Sequence, residues 1–330
     1  MKVVKHYEYA KEDEAKMLEL WQKYLEKAES MLEWLMENAI RSNEGIGWGY
    51  PFDWQSTKLI PAHTPNGIVT TAAGEAFWSR YQLTEEKKYL DICIKICNFL
   101  STLPKYQDGE DKICFSYIPL YQNHVHNLNL FVAEFLLKVG LKTENEEWVK
   151  LAHSAVNYTL ADQAEDGTFD YNGPPEKPRN FVDNYHTGFV LRMLHSIWIL
   201  SSREDIYKAM ELCFQHYTAN FFEDMQVPKL LPDRKYRIDI HSCAEAINCI
   251  SVLAKTFPDQ FVLAGNVLNW TTENLQDPEG YFYYGILKSR ITGRPFLSKI
   301  PYLRWGQAWM LRAMTAYHFF ESSQTTDRGY

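Results

Sequence analysis

A chain of 330 residues with 46% hydrophobic and 15% aromatic side chains can bury one large core or two ordinary ones. Its net charge of −8 argues against a nucleic-acid partner, because phosphate binding needs a concentration of Lys and Arg. Met1–Lys5 leads into polar residues, and no apolar run reaches the ~18 residues of a membrane span, so a cytoplasmic protein without membrane insertion is expected.

Residues 11 to about 42 carry Leu18, Trp21, Leu25, Ala28, Leu32 and Leu35 at alternating three-four spacing, which predicts a long outer helix with one apolar stripe. A Gly-aromatic loop follows, from Glu44 through Trp48, Asp53 and Trp54, and then a helix over about 65–83 that includes Thr70. From there the chain alternates. An apolar helix stops at a short turn with a fresh cap (Thr84-Glu85-Glu86, Thr143 to Glu146, Ser202 to Asp205, Thr256 to Asp259), and an amphipathic helix starts at once. Thr143 and Glu146 have capping-box spacing, and Pro258 suits a first turn. The amphipathic helices end in loops of roughly 16 to 26 residues, a length usually reserved for function or disorder.

A repeat of about 60 residues, with short turns at one end and long loops at the other, predicts helical hairpins packed in a ring. Apolar helices form the inner wall and amphipathic ones the outer wall. The expectation is an all-α chain, an α/α toroid of about five to six hairpins forming a single domain over residues 1–330, with flexible ends at 1–10 and 322–330. Of the six cysteines, Cys93, Cys97, Cys213 and Cys249 sit at apolar helical positions and read as small hydrophobes, and no disulfide is expected.

The inner helices share polar openings. Val182-Asp183-Asn184-Tyr185-His186-Thr187-Gly188 opens one, and Asp183 and Asn184 are good capping residues. Registered on the onset of each apolar run, His126, His186 and His241 coincide, with Thr70 and Arg304 at the matching position of two further helices. Side chains at one register on adjacent inner helices would converge.

This pattern resembles the six-hairpin glycosidase-like, or α/α-toroid, superfamily of carbohydrate-active proteins. Asp183-Asn184-Tyr185-His186-Thr187-Gly188 and Arg304-Trp305-Gly306-Gln307-Ala308 are similar to segments of toroid proteins encoded with bacterial capsule and exopolysaccharide genes. The resemblance implies a glycan partner, acidic in one reading, and a role in surface-glycan biosynthesis. It covers glycoside hydrolases, polysaccharide lyases and sugar epimerases, so the reaction stays open.

The favoured chemistry is proton abstraction at a uronate unit, of lyase or C5-epimerase type. It needs a side chain to accept the proton and an Arg or amide to neutralise the carboxylate. Tyr185, His186, His241, His126 and Arg304 supply those types, with Asn184 and Arg237 beside them. The alternative is glycoside hydrolysis by two carboxylates drawn from Asp53, Asp170, Asp183, Asp233 and Asp239, although Asp183 and Asp239 also suit plain helix caps. A third reading groups His126, His186 and His241 around zinc, but the short spacings that mark zinc sites are absent, so neither metal nor cofactor is expected. The fourth is a glycan-binding or assembly protein with Trp48, Trp54, Tyr171, Tyr284 and Trp305 stacking on sugar rings. Candidate substrate contacts are therefore Trp48, Asp53, Trp54, Thr70, Tyr171, Asn184, Arg237, Tyr284 and Trp305.

Overall fold

The computed structural model describes residues 2–42, 45–55, 58–176 and 181–326, with side chains from 16 to 323. Ten α-helices run through these residues, and every strand is short, as expected of an all-α chain. The chain divides into two compact units, the first ending at Leu103 and the second beginning at Pro104.

The first unit holds α1 (Lys2–Glu37), α2 (Gly67–Thr84) and α3 (Lys87–Thr102). Helix α1 begins ahead of the expected start at residue 11. Its stripe is covered at Leu32, whereas Leu18 and Trp21 remain 63% and 60% exposed. Helices α2 and α3 form a hairpin in which α3 buries Tyr89, Cys93, Ile96, Cys97 and Leu100, the face its periodicity marks.

The second unit repeats that hairpin. Helices α4 (His126–Thr143), α6 (Asn184–Ser201), α8 (Ile240–Leu253) and α10 (Trp309–Thr326) pack side by side in that order. Behind the first three lie α5 (Glu146–Ala161), α7 (Glu204–Asn220) and α9 (Phe261–Leu275). Helices α4, α6 and α8 are buried along most of their length, whereas α10 leaves Leu311 and Phe319 65% and 70% exposed. Leu128, Leu130, Phe135, Leu136 and Leu137 of α4 are fully buried, each such side chain contributing ~1.5–3 kcal/mol. Of the ends expected to be flexible, 1–10 and 322–330, residues 1 and 327–330 lie outside the described residues.

The short turns share one device. Helices α2, α4 and α6 each stop at a left-handed residue, Glu85, Glu144 and Ser202, with φ of 55°, 55° and 54°. Its N–H bonds back into the last helical turn, so the chain reverses within two residues. The expected capping box does not form. Thr143 is still helical, its hydroxyl donating to Val139 O, and Asn145 caps α5 by accepting from Trp148 N–H. Pro258 does open a first turn, in the 3₁₀ segment Pro258–Gln260 before α9. All six cysteines are buried thiols outside any disulfide.

Three helices begin alike. Asn66, Asp183 and Asp239 cap α2, α6 and α8, each side chain accepting the N–H three residues on. These caps correct the register read from the apolar onsets. Counted from the cap, His126 is the first residue of its helix, His241 the second, His186 the third and Thr70 the fourth. Arg304 lies ahead of α10, in the π-helical segment Leu303–Ala308. An apolar onset floats by a residue or two, whereas the cap fixes where the helix begins.

Candidate functional site

One position apart in register, His186 and His241 belong to one cluster. Asp183 does two jobs: Oδ1 accepts the His186 N–H at 2.9 Å, and Oδ2 accepts from His186 Nδ1 at 2.6 Å. A carboxylate on Nδ1 places that proton there and leaves Nε2 as the acceptor. Asp183 is 3% exposed and His186 24%, so the imidazole reaches open space while its anchor does not.

Tyr185 stacks on His241, with ring centroids 4.5 Å apart and planes 19° from parallel. It also lies 4.5 Å from the ring of His186. Phe189, one turn further along α6, and Trp309 of α10 close around His241 at 5.7 and 5.3 Å. Burial first, then His186, Arg304 and Arg192, brings the His241 imidazole down to about 3, so the ring is neutral near neutral pH, and its Nε2 is buried without a hydrogen-bond partner. Burial, with Asp183 and Asp239 adding to it, raises the Tyr185 phenol and keeps it protonated.

Asp239 is 3% exposed and caps α8. Burial raises its carboxyl, opposed by the Ser242 N–H and by Arg237, whose Nε lies 3.5 Å from Oδ2. Arg237, Asp239 and Tyr284 are held together because Ile238–Asp239 pairs with Gly285–Ile286, and Tyr284 O accepts the Ile240 N–H at 2.8 Å. Tyr284 packs edge-on against Tyr302, and Tyr302 against Trp305, over which the Arg304 guanidinium sits at 4.7 Å. On the α6 side, Tyr171 packs edge-on to His186 at 4.6 Å and stacks on Phe181.

The remaining candidates lie elsewhere. His126 is 1% exposed, its Nε2 2.8 Å from Asp162 Oδ2 and its Nδ1 3.3 Å from Thr159 Oγ1. Its surroundings nonetheless line a cleft shared with Asn127, Asp170, Tyr171, Asp183 and His186. Asn184 is fully buried and accepts from the Tyr217 hydroxyl, so it ties α6 to α7. In the first unit, Thr70 Oγ1 accepts the Trp48 N–H at 2.9 Å, and the Trp48 indole donates to Leu35 O and packs on Phe77. Trp48 and Thr70 are 3% and 0% exposed and are occupied with one another. Asp53 Oδ1 accepts the Ala62 N–H, and Trp54 packs edge-on to Tyr50. No three His, Cys, Asp or Glu side chains among the described residues are grouped to hold a metal ion.

Sequence reasoning missed the layer beneath the cluster. Arg192 and Glu245 form a two-point ion pair at 2.6 and 3.2 Å, at 3% and 0% exposure. Each is a charge inside an otherwise apolar helix, and that is a signal, since a buried charge must be paired. Gly188 belongs to this layer: a Cβ there would stand 2.6 Å from Glu245 Cγ.

No family model matches the chain, and no curated protein sequence matches it. Solved structures do. A D-mannose isomerase superposes with a TM-score of 0.68 at 13% identity, covering 92% of this chain and 83% of its own. The cellobiose 2-epimerase of Bacillus thermoamylovorans B4167 gives 0.67 at 12% identity, covering 92% and 88%. A polysaccharide lyase gives 0.61 at 10% identity, covering 92% and 85%. The chain therefore has the α/α-toroid fold that these carbohydrate-active enzymes share.

Proposed function

We propose that the chain, acting over residues 1–330 as one toroidal domain, is a carbohydrate-active enzyme that removes a proton from a sugar carbon beside a carboxylate and returns one, as in epimerisation at C5 of a uronate unit. The observation that carries this reading is the short Asp183–His186 contact, which leaves an oriented acceptor at Nε2 next to a protonated phenol and a neutral imidazole. His186 takes the proton as the C–H bond breaks, and the electron pair spreads into the carboxylate. Arg237 and Arg304 offset the charge that builds there. Tyr185 donates to the carbon from its own side and is reprotonated from solvent. If the substituent on the next carbon leaves instead, the same first step ends as a lyase reaction.

The named activities of the similar structures, an isomerase, an epimerase and a lyase, support a reading of this class. Hydrolysis by paired carboxylates has less support: Asp183 and Asp239 are both buried and both spend an oxygen on a helix cap. A second reading keeps the cluster but replaces the carboxylate by the aldehyde of a reducing sugar, and the isomerase and the 2-epimerase favour it. Similarity of the Asp183 and Arg304 segments to capsule-locus proteins supports a place in bacterial surface-glycan synthesis, and six buried thiols suit a cytoplasmic site for it.

The test is solvent exchange. In D₂O, uronate oligosaccharides should gain deuterium without shortening, and His186→Gln should abolish the gain. Exchange at C2 of a neutral aldose selects the second reading. New reducing ends without exchange would hand the reaction to the carboxylates, and binding with neither would leave a glycan-binding protein.

A further inference from the structure

Residues 280–320 contain no Asp or Glu, in a chain that carries 42 of them against 34 Lys and Arg. The same stretch holds Lys288, Arg290, Arg294, Lys299, Arg304 and Arg312. The first four lie on or beside one β-hairpin, Gly285–Lys288 against Pro295–Ser298. Its outer part stands in solvent: Lys288, Arg290 and Arg294 are exposed, as is every residue from Arg290 to Leu297. The other end is tied to the candidate site, because Gly285 pairs with Asp239 and Ile286 with Ile238, next to Arg237. At about 3.3 Å per residue, the strand carries Lys288 roughly 10 Å from the Asp239 pairing. Cations thus run outward from Arg237, and Arg304 over Trp305 continues them beside the aromatic row of Tyr284 and Tyr302. Two acids border the row: the buried Asp239, 3.5 Å from Arg237 at its inner end, and Asp277, which accepts from the Tyr283 hydroxyl under Lys299.

We infer that this hairpin is a second binding surface, which holds the negatively charged continuation of an acidic glycan whose reacting unit lies at His186. Two features select a polyanionic sugar chain over other anions. The cations are spaced along a strand, where successive charged units of a polymer can meet them. They also lead into exposed rings, on which sugar faces stack. The inference rests on the proposed reaction for its register but not for its chemistry, since the hairpin binds charge whether or not a proton moves.

The experiment uses the full chain with Lys288→Gln, Arg290→Gln and Arg294→Gln combined. All three are exposed, and an unchanged circular dichroism spectrum and melting curve establish that the variant folds. Binding of polyuronate oligomers, of the monouronate and of phosphatidylserine vesicles is measured at two salt concentrations. Wild type should bind the oligomers more tightly than the monouronate, and more weakly as salt rises. The triple variant should lose about tenfold in oligomer affinity, a factor of about two per exposed cation, with monouronate binding unchanged. Equal oligomer binding by variant and wild type overturns the inference, as does hairpin-dependent retention on vesicles without retention on polyuronate. His186→Gln separates the two readings: it abolishes exchange yet leaves oligomer binding in place, so loss of one does not imply loss of the other.

Discussion

Gly188→Ala sets two known effects against each other. Alanine in a helix interior is favoured over glycine by about 1 kcal/mol, so at an open position the substitution would stabilise α6. Here the new methyl would meet Glu245 Cγ at 2.6 Å, Oε1 at 3.1 Å and Cδ at 3.3 Å. Glu245 cannot swing away, because it is fully buried and held at both oxygens by Arg192. Overpacking costs about 1–3 kcal/mol, and breaking a buried ion pair costs about 3–5 kcal/mol. The clash therefore wins, with a net loss of about 2–4 kcal/mol. For a unit of this size, at about 2–4 °C per kcal/mol, that lowers Tm by about 4–16 °C. Differential scanning calorimetry gives the shift. Because Gly188 lies two residues past His186, deuterium exchange should fall as well. A variant that melts higher than wild type would show that α6 and α8 do not approach this closely.

Asp183→Asn should preserve the cap, since Asn still accepts the His186 N–H, while presenting an N–H to Nδ1 and forcing the proton onto Nε2. Exchange should drop by about 10²-fold or more, with a Tm within a degree or two of wild type, and retained activity would remove His186 as the base. Trp48→Phe removes the indole donor to Leu35 O at 2.7 Å and should destabilise the first unit by about 1–3 kcal/mol in a urea titration, leaving exchange per folded molecule to report whether Trp48 also contacts sugar. Burial, aided by Lys255, brings His195 to about 4, below its unfolded value near 6.5; as pH falls the unfolded chain is protonated first, so the ring's contribution is intact above 6.5 and lost between about 6 and 4 at up to ~1.4 kcal/mol per pH unit. Asp239 and Glu245, raised by burial, act in the opposite sense, so the readout is the difference in urea midpoint between wild type and His195→Gln, and a difference independent of pH would refute the assignment.

The hairpins were legible because their signals are local. Apolar periodicity separated front from back helices, and the short turns stood out as breaks in it. What closes those turns was less visible: Glu85, Glu144 and Ser202 take a left-handed conformation that favours Gly or Asn, so composition gave no warning. The same limit applies to Thr143. Its spacing to Glu146 satisfies a capping rule, yet α4 runs through Thr143, whose hydroxyl bonds back to Val139 O.

The candidate site shows why residue type and residue partner carry different information. His126, His186 and His241 were selected alike, as imidazoles near the starts of apolar helices. The structure gives each a different neighbour: Asp162 across to α5 for His126, its own cap for His186, a tyrosine ring and a tryptophan for His241. Only the Asp183–His186 pair is written locally, three residues apart in one turn, and it alone could have been derived from spacing. His241 depends on Tyr185, Phe189 and Trp309 from two other helices, and its low pKa follows from the burial they impose. A base needs an open edge and a charged anchor, whereas a ring kept neutral needs the opposite. In this cluster the two conditions are met by two imidazoles that share Tyr185 as their common wall.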